Sequence, residues 1–319
     1  MTATTALTGK RVLVTGGSGF VGRHLVRSLS EAGAIVVATR HRTTPGEAPP
    51  EVRWLPLAIG DPDSIRAAVA AARPEVVFHL AALLGADRSI AFAERALRAN
   101  LLGTHNLFAV LLEQDEKVER IVVMGSSEEY GRSETLPIGE EQPLHPVSPY
   151  SLSKAAASQL ALTYAALYGL PVTVLRPFII YGPGQSPTMM LPSLIETLLE
   201  ERDFAMTAGE QTRDFLYVDD LVAGLAAAAV EPAAAGEALN LCSGEERSIR
   251  DVAELAASMV GGGGRLLPGA LPYRGNEVWR LYGSNARARR LLEWSPHTSL
   301  HEGLKRTVEW YREHRVTRL

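Results

Sequence analysis

Three glycines in the pattern Gly17-x-Gly19-x-x-Gly22 follow the β-branched run Arg11-Val12-Leu13-Val14-Thr15 and open a helical pattern ending near Ala32. This placement constrains the fold more than any other stretch. A strand that turns sharply into a helix needs glycine for the turn, for close backbone approach to a bound group, and for helix–strand contact. Gly17 and Gly19 suit the turn and the approach, and Gly22 the packing. The first helical N–H groups lack partners and, with the helix dipole, favour an anion such as a diphosphate. Gly16, Gly19, Phe20, Val21 and Gly22 are therefore candidate contacts to a dinucleotide.

The same rhythm continues. The stretches 34–39, 52–55, 76–80, 121–124 and 172–176 are short, apolar and rich in valine and isoleucine, and read as strands. Helical patterns lie between them at 61–72, 90–113 and 149–168, with Pro62 and Pro149 placed for a first turn. Continuous apolar strands separated by helices predict an α/β fold, a doubly wound parallel Rossmann sheet covered on both faces. After Pro177 proline and glycine become frequent. The chain divides on this reading into a dinucleotide-binding domain, residues 1–177, and a smaller, mainly substrate-binding C-terminal part, 178–319. The segments 215–230 and 238–242 are expected to return to the main sheet.

A chain of 319 residues, 46% apolar and 21% charged, is an ordinary globular protein by composition. The formal charge of -4 gives no reason to expect nucleic acid or a membrane surface as partner. No apolar run approaches a membrane span of about 18 residues. The single cysteine, Cys242, excludes an internal disulfide and fits a cytoplasmic location. His79 has no companions at metal-ligand spacing, and no metal is expected.

Two positions speak to chemistry. Tyr150 and Lys154 are four residues apart on a predicted helix, hence on one face. An ammonium beside a phenol favours the phenolate, so a lowered tyrosine pKa and a proton-handling role are expected. Beyond the second strand stands Thr39-Arg40-His41-Arg42, with no acidic residue between Glu31 and Glu47. A carboxylate there would bind ribose hydroxyls, whereas arginine accommodates a 2′-phosphate. Arg40 and Arg42 therefore point to NADP, with NAD as the alternative.

Several ordered motifs resemble the extended short-chain dehydrogenase/reductase superfamily, in its nucleotide-sugar epimerase, dehydratase and ketoreductase group. They are the glycine loop at 15–22, His79-Leu80-Ala81-Ala82, Asn100-x-x-Gly103-Thr104, Ser126-Ser127-Glu128-Glu129-Tyr130-Gly131, Arg176-Pro177 and Arg213-Asp214-Phe215. The resemblance spans about 10–312. It implies Tyr150 as general acid/base, Lys154 on the nicotinamide ribose, and Ser126 on the sugar oxygen that changes oxidation state. It also places Ile59, Asp61, Leu80, Ala81, Ala82, Asn100 and Pro177 along the cofactor, Asn100 as support. Ser127, Arg213 and Arg274 fall on the substrate side, the two arginines toward a sugar diphosphate. A homodimer through a four-helix bundle, built from the helices at 90–113 and 148–168, is the family's assembly. Two departures stand out: Ala58-Ile59-Gly60-Asp61 lacks the first acidic residue of the usual adenine-side pattern, and Ile179 replaces an asparagine.

The expected substrate is a nucleotide-diphosphate sugar. NADP preference tips the expected reaction toward reduction of a nucleotide-linked 4-keto-6-deoxyhexose at C4. The alternatives are a 4-epimerase, a 4,6-dehydratase or decarboxylase using Glu128 as catalytic base, and a non-catalytic NADP-sensing protein.

Overall fold

The computed structural model describes residues 3–41 and 48–315. Seven parallel strands form its main sheet. Six are β1 (Arg11–Thr15), β2 (Ile35–Arg40), β3 (Arg53–Pro56), β4 (Val76–His79), β5 (Arg120–Met124) and β6 (Val172–Pro177). The seventh, Ala238–Leu241, lies outside β6, and the order runs from it through β6, β5, β4, β1 and β2 to β3. Strands β4 and β6 are buried along their whole length. Strands enclosed on both faces have no reason to alternate polar with apolar residues, which accounts for the unbroken apolar runs.

Helix α1 (Phe20–Glu31) and the helix Val218–Val230 cover one face. Helices α2 (Pro62–Ala72), α4 (Gly103–Leu112) and α5 (Pro149–Tyr168) cover the other, and α3 (Ile90–Ala96) packs against α5. The stretch expected as one helix over 90–113 is not uniform: six residues, Leu97–Leu102, form a π-helical segment between α3 and α4. Helix α5 has the expected bounds. Its start is fixed by Pro149 and by a reciprocal pair of bonds, Ser148 Oγ accepting from Ser151 N–H and Ser151 Oγ accepting from Ser148 N–H, at 3.0 and 2.9 Å. Its end falls at Gly169, whose φ of 67° suits a left-handed cap.

Beyond β6 a second apolar cluster gathers the helices Met190–Leu199, Ile249–Val260 and Leu300–Arg315. The short strands Ile179–Tyr181 and Phe215–Tyr217 pair beside it, in a sheet of their own. Of the two segments expected back in the main sheet, Ala238–Leu241 therefore joins it as a strand. The other contributes a helix to its face, while its strand pairs with Ile179–Tyr181. No helix among the described residues is long and apolar enough to cross a membrane.

Candidate active site

The sheet order reverses between β1 and β4, and open α/β sheets bind ligands at such a point. A cleft of about 940 Å³ opens there, above the carboxyl ends of the strands. Its floor is two backbone segments in near contact. Gly16 has a φ of 73°, and a Cβ on it would fall 2.7 Å from Ala81 N. A Cβ on Gly22 would fall 2.2 Å from Gly16 O. Glycine is therefore required at both positions, by close approach of β1 to β4 and of α1 to its own strand. The α1 N-cap, Gly19, makes no side-chain cap bond. Gly16, Gly19, Phe20, Val21 and Gly22 all line the cleft, as do Ile59, Leu80, Ala81, Ala82 and Pro177. This bed fits a dinucleotide: backbone without side chains, ending at a helix N-terminus.

Three other expected cofactor residues, Asp61, Asn100 and Arg40, are not among those that line the cleft, though their neighbours Gly60, Ala99, Thr39 and His41 are. Asp61 caps α2, accepting from Asp63 N–H at 3.0 Å, and is exposed outside the residues that line the cleft. A carboxylate ahead of Pro62 is a helix cap, which the family pattern alone does not reveal. Asn100 sits buried in the π segment behind the cleft wall. Its amide donates to Leu83 O and Ser153 Oγ and accepts from Leu83 N–H, at 3.1, 2.8 and 2.7 Å, so it supports the segment after β4 and α5. Arg40 ends β2, where Thr39 and His41 form the cleft wall. Arg42 lies outside the described residues.

Ser126, Tyr150 and Lys154 meet at the cleft. The Ser126 hydroxyl hydrogen-bonds the Tyr150 phenol and accepts from Glu128 N–H at 3.2 Å. Lys154 is buried and donates through Nζ to Met124 O. Burial lowers its pKa to about 8, against the opposing attraction of Glu129. The expectation of a lowered Tyr150 pKa fails in this state. Desolvation by the cleft wall raises it, the Glu128 charge adds to the rise, and only the Ser126 bond opposes them. The lysine's ammonium is turned to a carbonyl, and a neighbouring carboxylate acts on the phenol instead.

Glu128 also lines the cleft. Its surface is accessible from the cleft, yet the enclosing walls raise its carboxyl pKa against the attraction of Arg213, Arg274 and Arg88. Ser127, Arg213 and Arg274 line the same cavity. Arg213 is held by three acceptors at 2.7 Å: Thr212 O, Val278 O and Glu277 Oε1. The cleft-lining residues Arg88, Arg95 and Arg98 went unrecognised in the sequence. The i, i+3 spacing of Arg95 and Arg98 was the available signal, since it puts both on one helix face.

Residues 12–242 match the model of the NAD dependent epimerase/dehydratase family. The chain belongs to that family. It is 32% identical to a UDP-glucose 4-epimerase of Mycolicibacterium smegmatis, over 95% of this chain and 98% of that one. A dTDP-glucose 4,6-dehydratase of Streptomyces antibioticus is 32% identical, over 96% and 93%. A UDP-N-acetyl-alpha-D-glucosaminuronate decarboxylase of Bacillus cytotoxicus is 30% identical, over 95% and 98%. Among solved structures, an epimerase from Methanothermobacter thermautotrophicus superposes with a TM-score of 0.91 at 30% identity, over 99% of this chain and 96% of that one. Cofactors differ among such relatives. A dTDP-glucose 4,6-dehydratase from Streptomyces venezuelae carries NAD and TYD (TM-score 0.86, 29% identity, 96% and 98%), whereas RMD from Pseudomonas aeruginosa carries NADPH (0.80, 29%, 96% and 99%). The protein is an enzyme of the epimerase/dehydratase family with a bed for a nicotinamide cofactor, and its relatives interconvert nucleotide sugars rather than sharing one ketoreductase activity.

Proposed function

We propose that the protein oxidises C4 of a nucleotide-diphosphate sugar, carries out a second proton transfer through Glu128, and ends the turnover with its cofactor in the starting state: a 4,6-dehydration. The observation that carries this reading is the position of Glu128, a carboxyl that lines the same cleft as Ser126 and Tyr150. A simple exchange of hydride at C4 has no use for it. When bound, the oxidised nicotinamide supplies a hydride acceptor and a positive charge that favours the Tyr150 phenolate.

The chain's own groups then have distinct tasks. Tyr150 Oη takes the proton of the C4 hydroxyl, and Ser126 Oγ donates to the same oxygen. Once C4 is a ketone the C5 proton is acidic, and Glu128 removes it. The C6 hydroxyl leaves as water with that proton; the reduced nicotinamide, when bound, would supply the hydride at C6, and C5 takes up one proton, matching the one Tyr150 removed from the C4 hydroxyl, so that the turnover balances. Arg213 and Arg274 hold the diphosphate.

Net reduction of a 4-keto sugar, the expected reaction, rested on Arg40 through its preference for NADP. A cofactor restored in every turnover can be either nucleotide. Arg40 therefore bears on cofactor choice, where it supports NADP, and no longer on the reaction. Ser127 supplies no second carboxyl beside Glu128, which supports 4-epimerisation as the second reading. Exposed Leu102, Leu112, Leu152, Leu167 and Tyr168, on the helical segments of 90–112 and 149–168, support the homodimer through a four-helix bundle. The single cysteine supports a cytoplasmic location.

Mass spectrometry of the products from UDP-glucose and dTDP-glucose tests the reaction. Loss of water without net nicotinamide consumption is expected. A product of unchanged mass, inverted at C4, assigns the second reading. Stoichiometric oxidation of NADPH by a 4-keto sugar restores net reduction. Tyr150→Phe should lower turnover by about 10²–10⁴-fold while nucleotide binding persists; an active variant removes the proton-transfer assignment.

A further inference from the structure

Glu128 and Glu129 are neighbours in sequence with opposite surroundings. Glu128 lines the cleft, and Glu129 is wholly buried behind it. Glu129 Oε1 accepts from the Ser126 backbone N–H and from the Ser158 hydroxyl, each at 2.8 Å. Its Oε2 accepts from Arg176 Nε at 2.8 Å, in an ion pair whose side chains are 0% and 3% exposed. Arg176 Nη1 donates to the Tyr130 hydroxyl at 3.0 Å, and that hydroxyl donates to Asn240 Oδ1 at 2.8 Å. One carboxylate thus joins the turn after β5 to α5 and β6.

A buried ion pair is weak evidence of stability, because taking two charges out of water offsets their attraction. Its location therefore asks for another account. Ser126 is fastened at both ends: its hydroxyl accepts from Glu128 N–H, and its own N–H is held by Glu129. Ser158, the other ligand of Oε1, stands one helical turn beyond Lys154 on the same face of α5. The carboxylate is thus held by the same face of α5 that carries the lysine, and its charge acts on Lys154.

We propose that Glu129 is a positioning residue: it fixes Ser126 through the backbone and supplies the negative charge that keeps the buried Lys154 protonated. Its value to catalysis rests on the proton-handling reading of Ser126, Tyr150 and Lys154. The groups facing Glu129 are Arg176 and Tyr130 beside it, with Lys154 and Tyr150 from α5. Lys154 faces Glu129, the Met124 carbonyl and neutral His79.

The chain has four lysines, Lys10, Lys117, Lys154 and Lys305, so lysine labelled with ¹³C at Cε gives a countable spectrum without any substrate. Lys154→Met assigns its resonance. In Glu129→Gln, which keeps an acceptor for Ser126, the Lys154 titration midpoint should fall by about half a pH unit or more. An unmoved midpoint in the folded variant overturns the charge role. Glu129→Leu combined with Arg176→Met removes both buried charges together and protects against misfolding caused by an orphaned arginine. There the midpoint should fall again and the Ser126 amide should exchange faster with solvent. A slow amide with an unmoved midpoint overturns the proposal. Activity of Tyr150→Phe tests the underlying reading separately, because the lysine titration needs no turnover.

Discussion

Thr15 Oγ1 and His79 Nδ1 lie 2.8 Å apart at the ends of β1 and β4, on either side of the point where the sheet reverses. His79 Nε2 lies 3.1 Å from Thr104 Oγ1, and Thr15 Oγ1 also accepts from Ala81 N–H at 3.3 Å. An imidazole with both nitrogens engaged by hydroxyls orders the strand ends beneath the cleft.

Acid should loosen this arrangement. Burial, with the nearby Lys154 charge, lowers the His79 pKa from 6.5 to about 3. The folded state keeps the ring neutral while the unfolded chain takes up a proton below about 6.5. The unfolded state then binds more protons, so the His79 contribution is complete above about 6.5 and falls as pH drops toward 3. Between pH 4 and 6 His79 should contribute up to one proton, about 1.4 kcal/mol per pH unit, to the slope of urea-unfolding stability against pH. His79→Asn should reduce the slope by that amount.

Gly22→Ala should cost stability and nucleotide binding together. The new Cβ would fall 2.2 Å from Gly16 O, and backbone cannot move aside as a flexible side chain can. Overpacking of this kind costs about 1–3 kcal/mol. Thermal unfolding measures the first effect, and quenching of protein fluorescence by NADPH and NADH the second.

Turnover should fall on the alkaline side near pH 8. Lys154 loses its proton there, since burial depresses its pKa to about 8. The sign for stability is the reverse. Between about 8 and 10.5 the unfolded state binds more protons at this lysine, so its contribution to stability rises with pH. A kcat–pH profile set beside a denaturation series separates the two, because they move in opposite directions.

Arg213→Lys should raise KM for a nucleotide-diphosphate sugar by about tenfold or more with a smaller change in kcat. A lysine keeps the charge but cannot reproduce three fixed bonds to Thr212, Val278 and Glu277. Steady-state kinetics with UDP-glucose or dTDP-glucose, whichever is turned over, checks it.

What the sequence made legible was local. The apolar runs announce the sheet because enclosed strands need no alternation, and Pro149 and Gly169 bracket α5 by backbone preference alone. The gathering of Ser126, Tyr150 and Lys154 was legible through motifs of known spacing. Glu129 was not, because its burial depends on Arg176, 47 residues away, and nothing local separates it from Glu128. The helix-capping bond of Asp61 was legible from Pro62 beside it, because a carboxylate ahead of a first-turn proline suits a cap. The pKa of Tyr150 depends on which way an ammonium points, and spacing along a helix does not fix that.

The π segment Leu97–Leu102 has a consequence for how the long rod from Ile90 to Leu112 is used. Its wider turn holds an extra residue, so the angular phase of side chains before it does not carry through to those after it. Arg95 and Arg98 line the cleft from just before this turn and from within it, while Leu107, Phe108 and Leu111 lie against the sheet beyond it. The widened turn also carries Asn100, so the irregularity in the rod falls where it is tied to Leu83 and Ser153.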